Sequence, residues 1–361
     1  MTKIRVGILF GGKSAEHEVS VRSARNVYEA LDTSRFEPVL IGIEKSGRWI
    51  AADTHRFLEG PADSTDRHVE GSGDDTVMLQ PESKGALEPT RGGHMDIDVV
   101  FPILHGPFGE DGTVQGLLKL ADLPFVGADV LGSAVGMDKD VMKRLMRDSG
   151  IPVGRYELIR RGRSFDADRL VAELGVPLFV KPANLGSSVG VSKVADADRL
   201  RIAIDEALRY DNKVLVESAI VGREVECGVL GNEDPQASVV GEIIPSADFY
   251  SYAAKYINAD GATVRIPADL DETVTERVRE LAIRTFEALE CEGLSRVDMF
   301  VTEKNEVIVN EINTMPGFTS ISMYPKLWEA SGVGYTELIT RLIELAIARH
   351  ERDAKLKTSY E

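Results

Sequence analysis

Arg296, Asp298, Glu311 and Asn313 are the residues of this 361-residue sequence whose types and spacing best suit holding a cation and an anion together. Arg296 and Asp298 lie two apart in an alternating apolar segment, so on a strand they share one face. Glu311 and Asn313 repeat that spacing in the next such segment, and the short link at 302–306 predicts a hairpin. Two carboxylates and an amide oxygen on one face are hard oxygen donors. Such a set takes Mg²⁺ together with nucleotide phosphates. The same residues on an edge hairpin would also make an ordinary solvated face, so the spacing alone leaves both readings open.

Other segments add to this. Lys181 ends a strand-like run and is followed by a loop holding Gly186, Ser187, Ser188 and Gly190. That loop can fold over phosphates and donate backbone N–H groups, with Lys181 as a point charge; an ordinary Gly-Ser hairpin has the same composition. Glu217, Ser218, Ala219 and Ile220 form a strand edge suited to an adenine, and Glu224 can accept bonds from ribose hydroxyls. Tyr250, Tyr252, Lys255 and Tyr256 fall within seven residues, a concentration that suits a substrate lid or a solvated aromatic loop. His105 opens the run 105–112, and Glu16 lies in the run 11–20; both follow predicted strands, where α/β folds bind ligands. Residues 7–14 satisfy G-x-x-x-x-G-K-[ST], but Ile8, Leu9 and Phe10 belong in a buried strand rather than a phosphate loop, so the match is discounted. A dinucleotide fingerprint is also missing after that strand, which argues against a nicotinamide-dependent oxidoreductase.

Positioning these residues requires α/β and α+β elements. Strands are predicted at 4–10, 39–44 and 98–104, with a helix at about 15–31 capped by Ser14. Residues 51–95 hold nine acids against four Lys and Arg, with several Gly, Pro and Ser, and read as an irregular acidic insertion. A helix fits 141–147, strands fit 156–159, 178–181, 189–194 and 214–217, and a helix fits 196–208. Beyond Glu224 the pattern favours antiparallel sheet at 225–230, 239–244, 296–301 and 307–312. Helices at 271–289 and 335–348 flank it, and the last dozen residues are expected to fray.

Composition sets the outer limits. Lys and Arg number 42 against 59 Asp and Glu, a formal net charge of −17, which argues against nucleic acid or an anionic membrane as partner. A local basic cleft can still bind a phosphate. Two cysteines, Cys227 and Cys291, suffice for neither a disulfide framework nor a cysteine zinc site. With no apolar run near 18 residues, a cytoplasmic protein is expected.

Taken together and in this order, the segments at 11–20, 105–112, 137–139, 181–190, 254–256 and 310–320 resemble the D-alanine–D-alanine ligases of the ATP-grasp superfamily along nearly the whole chain. The resemblance implies a parallel α/β domain over 1–127, a central lobe over 128–220 and a C-terminal lobe over 221–361, the two lobes clamping ATP. It implies phosphate contacts from Lys139, Lys181 and Lys255, and a loop of Gly186, Ser187 and Ser188 over them. Nucleoside contacts would come from Glu217, Ser218, Ala219, Ile220, Glu224, Phe249 and Asn310. Two Mg²⁺ ions, with Mn²⁺ able to substitute, would rest on Asp298, Glu311 and Asn313. Glu16 would hold the ammonium of the first D-alanine, Ser322 and Met323 the second substrate, and His105 would sit near that second substrate. Arg296 and the Gly317 N–H would form an oxyanion hole, and Glu16, Ser187 and Tyr256 a hydrogen-bonded lid. The resemblance also implies that Tyr256 favours an amine as second substrate, so the dipeptide is expected; the alternatives are D-alanine–D-lactate or D-alanine–D-serine ligation, or a nucleotide-binding scaffold with a degenerate site. The family is usually dimeric, so a homodimer is expected.

Overall fold

A computed structural model describes residues 2–52, 57, 76–80, 83–89, 95–245, 262–357 and 359–360. Its first sheet has the order β3-β2-β1-β7. Strand β1 (Ile4–Gly11) pairs in parallel with both β2 (Phe36–Ile43) and β7 (Val99–Ile103), and β3 (Trp49–Ala51) adds an antiparallel edge. The two parallel partners of β1 are nearly all apolar because helices cover both faces. Helix α1 (His17–Ala30) puts Val21, Ala24 and Val27 against Ile8, Phe10 and Phe101 on one face. Helix α2 (Thr113–Leu120) puts Val114 and Leu118 against Leu9, Ile41 and Val100 on the other. The chain leaves β1 toward one face and β7 toward the other, so the loops after these strands open a crevice at one sheet end.

Within the acidic segment, β4 (Val77–Leu79), β5 (Ala86–Pro89) and β6 (Met95–Asp96) form a small antiparallel sheet, so this part of the expected irregular insertion is regular. Helices α3 (Val130–Met137) and α4 (Lys139–Asp148) follow, the latter capped by Asp138, whose carboxylate accepts from Asp140 and Val141.

The second sheet, β10-β9-β11-β8, is antiparallel throughout: β8 (Tyr156–Arg160), β9 (Leu178–Pro182), β10 (Ser192–Val194) and β11 (Lys213–Ser218). Helices α5 (Ala167–Leu174) and α6 (Ala197–Ala207), capped by Asp166 and Asp196, close its core of Leu170, Val180, Leu200, Ile204 and Val214. The expected strand at 189–194 is shorter, because the loop backbone turns through positive φ at Ser187, Ser188 and Gly190.

The third sheet, β14-β13-β12-β15-β16, is likewise antiparallel. Its strands are β12 (Arg223–Gly231), β13 (Gln236–Pro245), β14 (Ala262–Arg265), β15 (Gly293–Val301) and β16 (Val307–Asn313). Helix α7 (Glu272–Ala288) covers one face, where Val278, Leu281 and Phe286 meet Met142 and Met146 of α4. Helix α8 (Met323–Ala330) approaches the sheet through two glycines. A Cβ on Gly241 would stand 2.8 Å from the Met323 sulfur, and one on Gly228 would stand 3.0 Å from the Trp328 ring nitrogen. Helix α9 (Tyr335–Asp353) shares a core with the first sheet, Leu338 and Leu342 lying with Phe101 and Phe318. It runs past the expected end because Arg352 is held by Glu233 and Glu292 at 2.7 and 2.6 Å. Helix α1 starts later than expected: Glu16 holds its N-cap position, and the Ser14 hydroxyl instead donates to the His105 carbonyl at 2.7 Å.

Candidate active site

Strands β15 and β16 place Arg296 opposite Asn313 and Asp298 opposite Glu311, with a bulge just after Asp298. The Arg296 Nε and Nη2 donate to the two Asp298 oxygens at 2.7 Å each, and Nε also stands 2.9 Å from Glu226 Oε2 on β12. Asn313 Nδ2 donates to Asp298 Oδ2 at 3.0 Å. This contact turns the amide nitrogen toward the carboxylate and leaves the amide oxygen as a donor to a cation. Two carboxylates, Asp298 and Glu311, and the Asn313 amide oxygen thus lie together on these two strands. Among the described residues no group of three or more His, Cys, Asp or Glu gathers to hold a metal.

A chain of buried charges adjoins this face. Lys139, the first residue of α4, donates to the Leu185 carbonyl at 2.7 Å and stands 3.4 Å from Glu311 Oε2. Glu217 on β11 stands between two ammonium groups, with Lys181 Nζ 2.7 Å from Oε2 and Lys143 Nζ 3.2 Å from Oε1. Asn310 meets both lysines: its carbonyl accepts from Lys143 at 3.1 Å and its side-chain oxygen from Lys181 at 3.4 Å. Burial alone would raise the Glu217 pKa, but the two lysines prevail and hold it at about 2. Burial likewise opposes charge on Lys181, yet Glu217 and Glu311 leave its pKa raised.

The substrate side is built by the loops after β1 and β7. The Ser187 hydroxyl donates to Glu16 Oε1, joining the loop of the second sheet to the first. His105 is buried; its Nδ1–H donates to the Met315 carbonyl at 3.0 Å, and Ser23 Oγ donates to Nε2 at 3.3 Å. Burial lowers its pKa, which favours this neutral tautomer. Glu110 ties the loop after β7 to the segment after β16, accepting from Gly106 N at 2.6 Å and Met315 N at 3.1 Å. Burial and the nearby Glu16 push its carboxyl up to about 8. A Cβ on Gly317 would stand 2.8 Å from Ser322 Oγ, so glycine permits this turn; the Ser322 hydroxyl accepts from Thr319 N at 3.0 Å. Met323 is buried at the start of α8.

The remaining residues lie as follows. Ser218 uses its hydroxyl on the Leu174 carbonyl at 2.8 Å, Ala219 N donates to the Pro177 carbonyl at 3.1 Å, and Ile220 lies against Gly154. Glu224 stands on β12 opposite Ile243 and Phe300. Gly186 faces Glu16, Oε2 being 3.5 Å from where its Cβ would be. Phe249, Lys255 and Tyr256, with the rest of the aromatic run, lie outside the described residues. Sequence reasoning missed Lys143, Glu226, Ser23 and the part played by Glu110. Lys143 follows Lys139 by one helical turn, a spacing that marks a shared face but no partner.

Two antiparallel sheets meeting over buried lysines, beside a parallel α/β unit with a substrate crevice, define a ligase of the ATP-grasp class. The model of the D-ala D-ala ligase N-terminus matches residues 5–128, and that of the D-ala D-ala ligase C-terminus matches 145–344. The chain belongs to the D-alanine–D-alanine ligase family. It is 54% identical to D-alanine–D-alanine ligase A of Chromobacterium violaceum over 363 residues, covering 99% of both chains. It is 51% identical to D-alanine–D-alanine ligase A of Escherichia coli strain K12, covering 99% of this chain and 100% of that one. The solved D-alanine-D-alanine ligase of Coxiella burnetii superposes with a TM-score of 0.87 at 40% identity, covering 98% of this chain and 97% of that one. The VanG D-Ala:D-Ser ligase of Enterococcus faecalis superposes with a TM-score of 0.82 at 36% identity, covering 96% and 100%.

Proposed function

We propose that the residues of this cleft carry the ATP-dependent joining of two D-alanines into D-alanyl-D-alanine, a peptidoglycan precursor. Full-length identity of about half to relatives of that name favours this reading over D-lactate or D-serine as second substrate. The observation that carries the residue assignment is the 3.4 Å approach of Lys139 to Glu311. It brings a phosphate-binding ammonium to a cation-binding carboxylate, the pairing a nucleotide polyphosphate needs.

Adenine lies along Glu217, Ser218, Ala219 and Ile220, with Glu224 on the ribose and Phe249 and Asn310 beside the nucleotide. Lys139, Lys181 and Lys255 hold phosphate oxygens under Gly186, Ser187 and Ser188. Asp298, Glu311 and Asn313 would hold Mg²⁺, or Mn²⁺ in its place, which when bound neutralises phosphate charge. Glu16 takes the ammonium of the first D-alanine, and that substrate's carboxylate oxygen attacks the γ-phosphorus. ADP leaves, and an acyl phosphate remains. The second D-alanine, held at its carboxylate by Ser322 and Met323 near His105, attacks the acyl carbon through its amine. Arg296 and the Gly317 N–H stabilise the oxyanion, phosphate departs with the C–O electron pair, and the amine loses a proton. The acyl phosphate hydrolyses in open water, so the Ser187–Glu16 contact serves to exclude solvent, a task the family resemblance also assigns to Tyr256. Tyr256 also selects an amine as the second substrate.

The same reading divides the chain at 1–127, 128–220 and 221–361 and gives a cytoplasmic homodimer. Among the described residues no helix is long and apolar enough to cross a membrane. The test measures ADP release with and without D-alanine, with the product identified by mass, then offers D-lactate and D-serine in competition. D-alanine-dependent ADP release with a dipeptide product is expected; preferred use of D-lactate near pH 7 overturns the dipeptide reading.

A further inference from the structure

Lys143 is a buried charge that the reaction above leaves unused. Its side chain is 2% exposed, yet it is drawn into the nucleotide cleft from helix α4, against Glu217 of β11 and the Asn310 carbonyl of β16. Glu217 carries one negative charge and faces two ammonium groups, Lys143 at 3.2 Å and Lys181 at 2.7 Å. A buried carboxylate must keep a cationic partner, because leaving it unpaired is strongly destabilising. If Lys181 were the only partner, a phosphate could take it only by stripping Glu217. With Lys143 in place, Glu217 remains neutralised while Lys181 turns to the phosphate.

We infer that Lys143 is a positioning residue for nucleotide binding: it neutralises Glu217 permanently and thereby frees Lys181 to bind phosphate. The inference rests on the assignment of Lys181 to the phosphates. It accounts for an otherwise costly arrangement, a lysine fully withdrawn from water with no contact to reacting groups. The Asn310 carbonyl fixes Lys143 from the far sheet, so its ammonium does not follow the ligand. Desolvation lowers the Lys143 pKa, and Glu217 opposes that lowering, as a resident partner would.

The test compares ADP with adenosine, which has the same base and ribose but no phosphate, by calorimetric titration of the full chain. Lys143→Met is expected to weaken ADP by about tenfold or more while changing adenosine little, since only ADP needs Lys181 released. In a Glu217→Gln background the same substitution is expected to cost nothing further, because the charge to be neutralised is gone. Equal weakening of ADP and adenosine shows a merely structural role and overturns the inference, as does an undiminished loss in the Glu217→Gln background. Where Lys143→Met does not fold, the double variant carries the test: ADP affinity close to that of Glu217→Gln supports the inference, and affinity well below it overturns it. Lys181→Ala is measured alongside. Selective loss of ADP over adenosine upholds the phosphate assignment independently of Lys143, and no loss removes that assignment and the inference with it.

Discussion

Arg296 is bound by acids on two sides, bidentately by Asp298 and at 2.9 Å by Glu226. Its planar fork is therefore held in one orientation, so the oxyanion role proposed for it would need little reorganisation. Arg296→Ala is expected to lower kcat by about a hundredfold or more, with a much smaller change in ATP affinity, since the contact strengthens mainly in the transition state. Steady-state kinetics with a nucleotide titration check this; an unchanged kcat removes Arg296 from the mechanism. The sharing of a face by Arg296 and Asp298 was legible from their spacing, whereas Glu226 was not, because it enters from the neighbouring strand. Glu110 makes a second residue-scale case. Its carboxyl, pushed up to about 8, keeps its proton in the fold where an unfolded chain has lost it above 4.5. The unfolded state thus binds fewer protons between those values. The contribution to stability is complete below the lower value and is lost as pH rises through the upper one. Glu110→Gln should remove that slope, so its urea midpoint should gain on the wild type between pH 5 and pH 8. A constant difference would sink the prediction.

The loops after β1 and β7 show how elements position these groups. Gly106 has φ +75°, and a Cβ there would stand 2.8 Å from Glu16 Oε2. Gly106→Ala is expected to displace Glu16 and raise KM for the first D-alanine about tenfold, leaving ATP affinity near the wild-type value. Initial rates at saturating ATP read the effect, and an unchanged KM would separate Glu16 from that substrate. The long apolar strands and the helices α1, α6, α7 and α9 were legible because their periodicity is strong. The eight-residue helices α2, α3, α5 and α8 and the four-residue β14 were not expected. Segments that short give too few repeats for a period to show, and packing against a sheet stabilises them instead. The strand predicted at 189–194 forms only over Ser192–Val194, for another reason. Two serines adopt positive φ at Ser187 and Ser188, a conformation the tertiary contact of Ser187 with Glu16 helps to hold.

Across the whole molecule, the first sheet and the last helix share one core, so the two ends of the chain depend on each other. Arg349 of α9 donates to the Phe125 carbonyl at 2.7 Å and to the Gly127 carbonyl, and its guanidinium lies 4.7 Å from the Phe125 ring centre. Arg349→Met leaves two buried carbonyls without these donors and is expected to cost about 2–4 kcal/mol of stability. Chemical denaturation measures it; a loss below about 0.5 kcal/mol would show that water replaces the guanidinium. The net charge of −17 says little about the ligand, since the cleft's few lysines are paired locally with Glu217 and Glu311.

Spacing within a strand or helix determines which side chains share a face. The sequence by itself therefore determined the α/β and antiparallel segments, the oxygen-donor face of Asp298, Glu311 and Asn313, and the family. Partners distant along the chain are decided by packing, which no local period encodes. Only the tertiary structure joined His105 to Ser23 and Met315, and Glu217 to Lys143, while the contact of Glu16 with Ser187 was expected from the family resemblance and not from any spacing. It also made these groups act differently from their exposed counterparts. Burial removes water as a competing partner, so a carboxylate or an imidazole takes its charge state from the few groups placed beside it.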